Sequence, residues 1–253
     1  RNGRYLGQYE LSPLIHADDD LARVSAEADV IAMAIPAKGF AEIARAASSM
    51  ARKGSIVVSL TKGLEPWSRR RMSEVLRDAF PQCGVAVLSG PNLANEIIAG
   101  QPAASVVASL DESVAREVVA AFSTPMFRLY TNDDVVGREI GGVVKNVIAI
   151  GAGIAQGFGF GDNAKAAVIT RGLAEMTRLG VALGARSETF SGLAGLGDLV
   201  ATCASMQSRN TQVGVRLGRG ESPEEIESSM QMVAEGVRAS SLVAKVASPP
   251  VMR

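Results

Sequence analysis

The chain has 253 residues, of which 47% are hydrophobic and 21% are charged, as in an ordinary soluble globular protein. The formal net charge is zero, so the composition does not indicate the basic surface that would predict a nucleic acid or an anionic membrane as a partner. The single histidine, His16, excludes a zinc site of several histidines, and Cys83 and Cys203 lack metal-type spacing. We therefore predict no metal site, a reducing cytoplasmic setting, and acid–base chemistry carried by Lys, Asp, Glu or Tyr.

The first half of the chain alternates apolar strands with helical patterns. Strands are predicted at Ala28–Pro36, Ser55–Thr61, Val85–Gly90, Ala104–Leu110 and Phe127–Thr131. Helices are predicted near Phe40–Ala51, near Ser68–Phe80, just after Pro91, and from a cap at Asp111 through Phe122. Repeated strand–helix–strand units predict a parallel or mixed sheet with helices on both faces.

From about Asp133 onward the pattern is helical throughout. Helices are predicted at Val135–Gln156, Asp162–Leu183, Leu196–Ala204, Arg209–Leu217, Pro223–Met230 and Gly236–Val246. We predict an α/β domain at residues 1–132 and an all-α domain at residues 133–253, with ligands in the cleft between them.

Lys145 is the most informative residue of the helical half. It is the only ionisable residue between Ile140 and Gly161, in a stretch that glycines, Asn146 and Gln156 make unsuitable as a membrane span. A charge on a helix buried on most sides needs a partner or a function, because unpaired burial is costly. Snorkelling of its ammonium to water is the structural alternative.

Two strands of the predicted sheet end in polar residues. Lys62 follows the second strand, and Ser89, Gly90 and Asn92 follow the third. Ligands collect at the carboxyl ends of strands in open parallel sheets, so topology brings Lys62 and Asn92 to one rim. A solvated loop lysine and a turn asparagine remain the structural alternatives.

Three segments of the helical half begin helices with polar residues. Asp198 follows the glycines of GLAGLGD, and Glu235 begins a helix where a carboxylate is electrostatically favoured. Ser208, Arg209 and Asn210 start a helix whose free amides and guanidinium suit a phosphate group. Simple helix capping is the alternative for each segment. No dinucleotide-binding G-x-G-x-x-G occurs between a strand and a helix, since GFGDNA (Gly159–Ala164) follows a helix.

Six segments together resemble NAD(P)-dependent glycerol-3-phosphate dehydrogenases of the bacterial type: VSLTKGLE, LSGPNLANE, EIGGVVKNVIAIGAGIAQGFGFGDNAKAAVITRGLAEMTRLG, GLAGLGDLVATC, SRN and EGVR. The resemblance implies a partial Rossmann-like, doubly wound sheet followed by an all-α domain like that of 6-phosphogluconate dehydrogenase. It also implies NAD or NADP as cofactor, with dihydroxyacetone phosphate and sn-glycerol 3-phosphate, a phospholipid precursor, as substrates.

The resemblance assigns roles to individual residues. Lys145, Asp198 and Lys62 match the catalytic positions. The implied substrate-binding residues are Lys62, Gly90, Asn92, Lys145, Asn146, Asp198, Thr202, Ser208, Arg209 and Asn210. The implied cofactor-binding residues are Lys62, Ala94, Arg209, Val233 and Glu235. Position 92 is a departure, because bacterial members often carry Ser or Thr where this chain has Asn.

The family begins with a strand, a G-x-G-x-x-G turn, a helix and a second strand, which we expect to precede Arg1. On this interpretation the chain is an amino-terminally truncated fragment that binds cofactor weakly. The residue that selects NAD or NADP is then expected to precede Arg1. Two alternatives remain open: another hydroxyacid dehydrogenase of the same fold group, and a catalytically inactive ligand-binding fragment. The first usually spaces its Lys and Asn by one helical turn, whereas Asn146 adjoins Lys145. Oligomeric state is left open, with a homodimer as the candidate.

Overall fold

The computed structural model describes residues 9–230 and 234–247, and it places a sheet before a set of helices. The five strands are β1 (Val30–Met33), β2 (Ile56–Ser59), β3 (Gly84–Ser89), β4 (Ala103–Ala108) and β5 (Phe127–Asn132). The helices of this sheet part are α1 (Leu21–Glu27), α2 (Ala37–Ser48), α3 (Met72–Ala79), α4 (Ala94–Ile98) and α5 (Glu112–Phe122). All five predicted strands are confirmed, with ends that differ by a few residues.

The sheet is mixed, with the strand order β1-β2-β3-β4-β5. Strands β1, β2 and β3 are parallel, β4 runs antiparallel to β3, and β5 is parallel to β4. The reversal brings the amino ends of β4 and β5 to the edge where β1, β2 and β3 have their carboxyl ends. Loops from all five strands therefore meet along one rim, where ligands bind in such sheets.

Helices cover both faces of the sheet, as the sequence predicts. Successive strand side chains point to opposite faces, and Val57 and Val58 of β2 belong to different hydrophobic clusters. Val57 packs with Phe40 of α2 and Leu76 of α3. Val58 packs in the cluster that includes Val118 of α5. Both valines are fully buried, which accounts for the continuous apolar runs in these strands.

The helical part confirms the predicted series of helices, and residues 133–230 and 234–247 contain no strand. The helices are α6 (Val135–Gly157), α7 (Asp162–Ala182), α8 (Ser187–Phe190), α9 (Asp198–Ala204), α10 (Arg209–Gly218), α11 (Pro223–Ser229) and α12 (Glu235–Ala247). Helices α1 and α8 were not predicted, because each is short and lacks a periodic apolar pattern. The predicted helix start at Leu196 is replaced by a π-helical turn, Leu193–Gly197, that leads into α9.

Helix α6 is the central element of the helical part. It is long and apolar enough to cross a membrane by length and composition, but 67% of its apolar 18-residue stretch is buried inside the protein. That burial is typical of a core helix. Helix α6 begins at a cap in which the Asp134 side chain accepts a hydrogen bond from the amide of Gly137 (2.9 Å).

Helices α6 and α10 cross at unusually close range. A Cβ atom added at Gly153 of α6 would lie 2.4 Å from the carbonyl oxygen of Thr211, and one added at Gly214 of α10 would lie 2.1 Å from that of Ile150. Only glycine permits this backbone approach. The crossing holds the first turn of α10 against the middle of α6, where Lys145 lies.

Candidate active site

A cleft of about 880 Å³ opens along the rim of the sheet and extends to the helical part. Most of the sequence-predicted site residues line it: Lys62, Asn92, Lys145, Asn146, Thr202, Ser208, Arg209, Asn210 and Glu235. The structure therefore brings together side chains from the β2–α3 loop, the loop after β3, and helices α6, α9, α10 and α12. The predicted shared rim for Lys62 and Asn92 is confirmed.

Asp198 links two lysines from different parts of the chain. One carboxylate oxygen, Oδ1, accepts a hydrogen bond from Lys145 Nζ (2.8 Å), and the other, Oδ2, accepts one from Lys62 Nζ (2.6 Å). Lys145 also donates to the hydroxyl of Thr202 (2.6 Å), and Lys62 donates to the carbonyl of Gly90 (2.8 Å). Lys145 is thus a buried, paired lysine rather than a snorkelling one.

The local backbone explains why Asp198 faces the lysines. The π-helical turn before it delivers Asp198 as the first residue of α9, with no side-chain cap to that helix. Glycine is required within the turn, because a Cβ atom at Gly195 would lie 2.3 Å from the carbonyl oxygen of Phe190. The simple capping role considered for Asp198 is therefore wrong, and its carboxylate is committed to Lys62 and Lys145.

Burial and charge together shift the pKa values of this cluster. Burial, with the nearby charge of Lys62, lowers the pKa of Lys145 from 10.5 to about 8, although Asp198 opposes the shift. Burial alone would raise the pKa of Asp198, but the charges of Lys62 and Lys145 hold it below its ordinary value. Lys145 can therefore exchange a proton near pH 8 while Asp198 stays ionised, and such perturbed groups in a cleft are typical of functional sites.

A second set of hydrogen bonds connects α6, α10 and α12. The Asn146 side-chain oxygen accepts from Asn210 Nδ2 (2.9 Å), and the Asn210 oxygen accepts from the amide of Gly236 (2.9 Å). Asn146 Nδ2 donates to the carbonyl of Gly142 (3.2 Å), which fixes the orientation of its amide group. Ser208 caps α10 by accepting from the amide of Thr211 (3.3 Å).

Asn92 is oriented by a residue that the sequence did not single out. The hydroxyl of Ser105, a fully buried residue of β4, donates to the Asn92 side-chain oxygen (2.5 Å). With its oxygen occupied, Asn92 presents its NH₂ group as a donor to the cleft. The antiparallel pairing of β3 with β4 creates this contact, which no short-range sequence pattern signals.

Models of one protein family match the two parts of the chain. The descriptions are "NAD-dependent glycerol-3-phosphate dehydrogenase N-terminus" for residues 1–115 and "NAD-dependent glycerol-3-phosphate dehydrogenase C-terminus" for residues 134–250. The glycerol-3-phosphate dehydrogenase (NAD(P)+) 2 of Sphingopyxis alaskensis is 50% identical over 246 residues, which are 97% of this chain and 74% of that protein. The chain belongs to this family.

Further relatives agree with the assignment. The glycerol-3-phosphate dehydrogenase (NAD(P)+) of Thermobifida fusca is 49% identical over 248 residues, which cover 97% of this chain and 74% of that protein. The crystal structure of glycerol-3-phosphate dehydrogenase from Coxiella burnetii superposes with a TM-score of 0.94 at 37% identity, covering 97% of this chain and 75% of that one. The resemblance inferred from the motifs and the predicted fold are confirmed.

The cleft of this family member also has an apolar wall that the sequence analysis missed. Leu93, Ile97, Phe122 and Phe127 line it, and they come from α4, the end of α5 and the start of β5. In the sequence these residues are indistinguishable from ordinary core positions of a helix or strand. The cleft therefore combines apolar side chains with a small set of polar ones, as small-molecule and cofactor sites do.

Two further predicted site residues, Ala94 and Gly90, adjoin residues that line the cleft. Ala94 is the exposed first residue of α4, next to the cleft residue Leu93. Gly90 takes part through its carbonyl, and a Cβ atom there would lie 2.4 Å from the Ser105 hydroxyl. Val233 lies outside the described residues. Burial raises the pKa of Glu235, an effect that the charges of Arg238 and Arg209 oppose.

Proposed function

We propose that Lys145, Asp198 and Lys62 carry out the reaction of this family in this chain. The enzyme catalyses reversible reduction of dihydroxyacetone phosphate to sn-glycerol 3-phosphate with NAD or NADP as cofactor, a step that feeds glycerophospholipid synthesis. The observation that carries the assignment of residues is the buried Lys145 ammonium, held by Asp198 and Thr202 at the floor of the cleft. When bound, the cofactor supplies or accepts the hydride.

In the reduction direction, Lys145 acts as the acid. Negative charge develops on the carbonyl oxygen as its carbon is reduced, and the Lys145 ammonium stabilises that charge and donates the proton that makes the alcohol. In the oxidation direction, the neutral amine of Lys145 takes the proton from the hydroxyl. A pKa of about 8 keeps both protonation states populated near neutral pH.

The neighbours of Lys145 orient it. Asp198 and Thr202 accept two of the three N–H groups that the ammonium carries, so the third is directed to the cleft. Lys62 shares the Asp198 carboxylate and adds a second positive charge beside the developing oxyanion. We propose that Asn92, Asn146 and Lys62 hold the substrate oxygens in the geometry that the reaction needs.

We propose that the first turn of α10 binds the substrate phosphate. Ser208, Arg209 and Asn210 line the cleft at a helix amino terminus, where amide groups and a guanidinium favour an anion. Arg209 lies close enough to Glu235 to act on its pKa, which supports a position between the substrate and cofactor sides. On this proposal Ala94, Val233 and Glu235 contact the cofactor.

The two parts of the chain are proposed to have different functions. We propose that residues 1–132 form the dinucleotide-binding domain, although they carry no G-x-G-x-x-G turn, and that residues 133–253 form the helical substrate and catalytic domain. The strands end before Asp133 within the described residues, which supports that boundary. Action in the cytoplasm and a homodimeric state remain predictions.

Replacement of Lys145 tests the proposed function. We expect Lys145→Met to lower kcat by about a thousand-fold or more, because both the proton donor and the charge that stabilises the oxyanion are removed. Turnover is followed by absorbance of the reduced cofactor, and binding of dihydroxyacetone phosphate is measured by calorimetry. Lys53→Met at an exposed lysine is the control and should keep parental turnover. Parental kcat in the Lys145 variant would refute the catalytic role.

A further inference from the structure

Glu139 is a buried carboxylate of α6 that the proposed reaction does not use. Its side chain is 3% exposed, and it lies six residues before Lys145 on the same helix. Glu139 was not among the candidate site residues, since a glutamate within a helical pattern is usually a solvated surface residue.

All the hydrogen bonds described for the Glu139 carboxylate come from the start of α3 in the sheet part. It accepts from the amide (2.8 Å) and the hydroxyl (2.5 Å) of Ser73 and from the Arg71 guanidinium (3.2 Å). The fully buried Ser73 lies near the amino terminus of α3, where a negative charge is favoured. Glu139 therefore ties the sheet part to α6.

The segment Lys62–Ser73 connects the Glu139 contact with the proposed catalytic cluster of Lys62, Lys145 and Asp198. It is a closed loop, because Leu64 and Arg71 form a β-bridge and the Glu65 amide donates to the carbonyl of Arg70 (2.9 Å). The Glu65 carboxylate braces the loop by accepting from the amides of Trp67 and Ser68. The two ends of the segment consequently lie close together, and a restraint on one end restrains the other.

One face of α6 contacts the segment at each end. Glu139 and Gly142 are one turn apart, and Lys145 lies one turn further along the helix. Glu139 holds Ser73, while Gly142 leaves room for Lys62: a Cβ atom added there would lie 3.4 Å from Lys62 Cγ and 3.2 Å from the Ser89 hydroxyl. Lys145 then meets Lys62 at the shared Asp198 carboxylate.

We propose that Glu139 is a positioning residue that locks the Lys62–Ser73 segment onto α6 and so sets Lys62 against Lys145 and Asp198. The inference rests on the proposed function, because it assigns Glu139 a task only if those three groups carry the reaction. We call the contact of Glu139 with Arg71 and Ser73 the lock. The proposed phosphate-binding turn of α10 belongs to the helical part together with Lys145, so the lock governs the catalytic geometry more than the affinity for substrate.

The ionisation of Glu139 supplies a readout that a purely structural residue lacks. Burial raises the pKa of Glu139, an effect that the hydrogen bonds from Ser73 and the charge of Arg71 oppose and the charge of Glu74 reinforces. The folded state thus favours the neutral carboxyl, and any stability this gives is lost as pH rises through the folded pKa. At pH 7, loss of the Glu139 charge is therefore not destabilising by itself, but in Glu139→Gln one oxygen that accepts from Ser73 or Arg71 becomes an NH₂ group.

The experiment compares Glu139→Gln with a matched variant, Glu74→Gln, in the intact enzyme. The Glu74 carboxylate also accepts from Arg71, from its guanidinium (3.0 Å) and from its backbone amide (2.8 Å), but within the α3 cap and without reaching α6. For Glu139→Gln we expect a melting temperature lower by a few degrees at most, because one buried acceptor oxygen is lost. We also expect a kcat lower by about ten-fold or more, since displacements of an ångström in a catalytic group have such effects. KM for dihydroxyacetone phosphate should rise less than kcat falls, because Lys62 is displaced whereas the proposed phosphate contacts on α10 are not.

Glu74→Gln should show a similar fall in melting temperature, by a few degrees from the weakened cap, but a parental kcat. The kcat deficit of Glu139→Gln should also shrink as pH falls, because the parent carboxyl becomes protonated and loses its charge for Arg71. A second variant, Ser73→Ala, should lower kcat in the same direction as Glu139→Gln.

Parental kcat in both Glu139→Gln and Ser73→Ala would overturn the lock, as would a kcat loss of the same size in Glu74→Gln. A kcat deficit that stays constant across pH would also contradict it. Failure of the proposed function is recognised separately, because it would leave Lys145→Met active. An inactive Lys145→Met with a fully active Glu139→Gln removes the lock alone.

Discussion

At the residue scale, the proposed chemistry depends on Lys145, whose proton is made labile by its surroundings. Burial removes water from the Lys145 ammonium, and Lys62 adds a like charge nearby, so its pKa falls to about 8. Asp198 alone would have the opposite effect and would fix the proton on Lys145. The balance between one carboxylate and two amines therefore sets the protonation state that each direction of the reaction needs.

The two directions should consequently respond to pH with opposite signs. In reduction Lys145 must carry a proton, so kcat should fall as pH rises through about 8; in oxidation it must lack one, so kcat should rise over the same interval. Initial rates at saturating substrate and cofactor, measured across this range in both directions, provide the check. If kcat changes with pH in the same sense for reduction and for oxidation, a group other than Lys145 titrates in this range.

At the scale of elements, the contact of α6 with α10 aligns the proposed phosphate-binding turn with the proposed catalytic lysine, Lys145. The contact uses paired glycines, Gly153 and Gly157 on α6 with Gly214 and Gly218 on α10, whose neighbours are backbone atoms that cannot move independently. Asn146 and Asn210 are hydrogen-bonded across the same crossing. A shift of α10 therefore displaces Asn210 relative to α6, and Arg209 moves with it.

An added methyl group at this crossing should weaken substrate binding. Gly214→Ala places a Cβ atom 2.1 Å from the Ile150 carbonyl oxygen, so α10 must move away from α6. We expect KM for dihydroxyacetone phosphate to rise by about ten-fold and the free energy of unfolding to fall by about 1–3 kcal/mol, as in other overpacked cores.

Steady-state kinetics and denaturant unfolding test this expectation. Gly39→Ala in α2 is the control, because nothing lies within 4 Å of an added Cβ atom there and the change should be neutral or stabilising by up to about 1 kcal/mol. Parental KM in Gly214→Ala would mean that the crossing tolerates displacement without affecting the phosphate turn.

At the scale of the whole molecule, the sequence predicted the architecture well because its signals are local. Apolar runs, helical periods and caps such as Asp111, whose carboxylate accepts from the Ser113 amide (2.8 Å), depend on neighbouring residues. The family motifs then indicated Lys145 and Asp198 as joint catalytic positions, which spacing alone did not reveal. Hydrogen bonds between residues distant in sequence were missed, namely that of Ser105 to Asn92 and that of Ser73 to Glu139. Serine is common in strands and caps and carries no distinctive pattern.

Asp198 also joins the sheet part to the helical part, since Lys62 comes from one and Lys145 from the other. Asp198→Asn should leave the buried ammonium of Lys145 and the partly buried one of Lys62 without a counter-charge, and we expect the free energy of unfolding at pH 7 to fall by roughly 3 kcal/mol. With Asp198 gone, the pKa of Lys145 should drop below about 8, because this carboxylate opposes the shift.

The pH dependence of Asp198→Asn gives a signed test of that argument. A lysine with a lowered folded pKa binds its proton more weakly in the folded than in the unfolded state, so folding is penalised at low pH and the penalty fades as pH rises toward 10.5. The stability gap between Asp198→Asn and the parent should therefore narrow with rising pH, and the alkaline limb of the reduction rate should move to lower pH. Denaturant unfolding at several pH values measures the gap. A gap that widens with pH would show that the two lysines do not depend on Asp198 for their charge compensation.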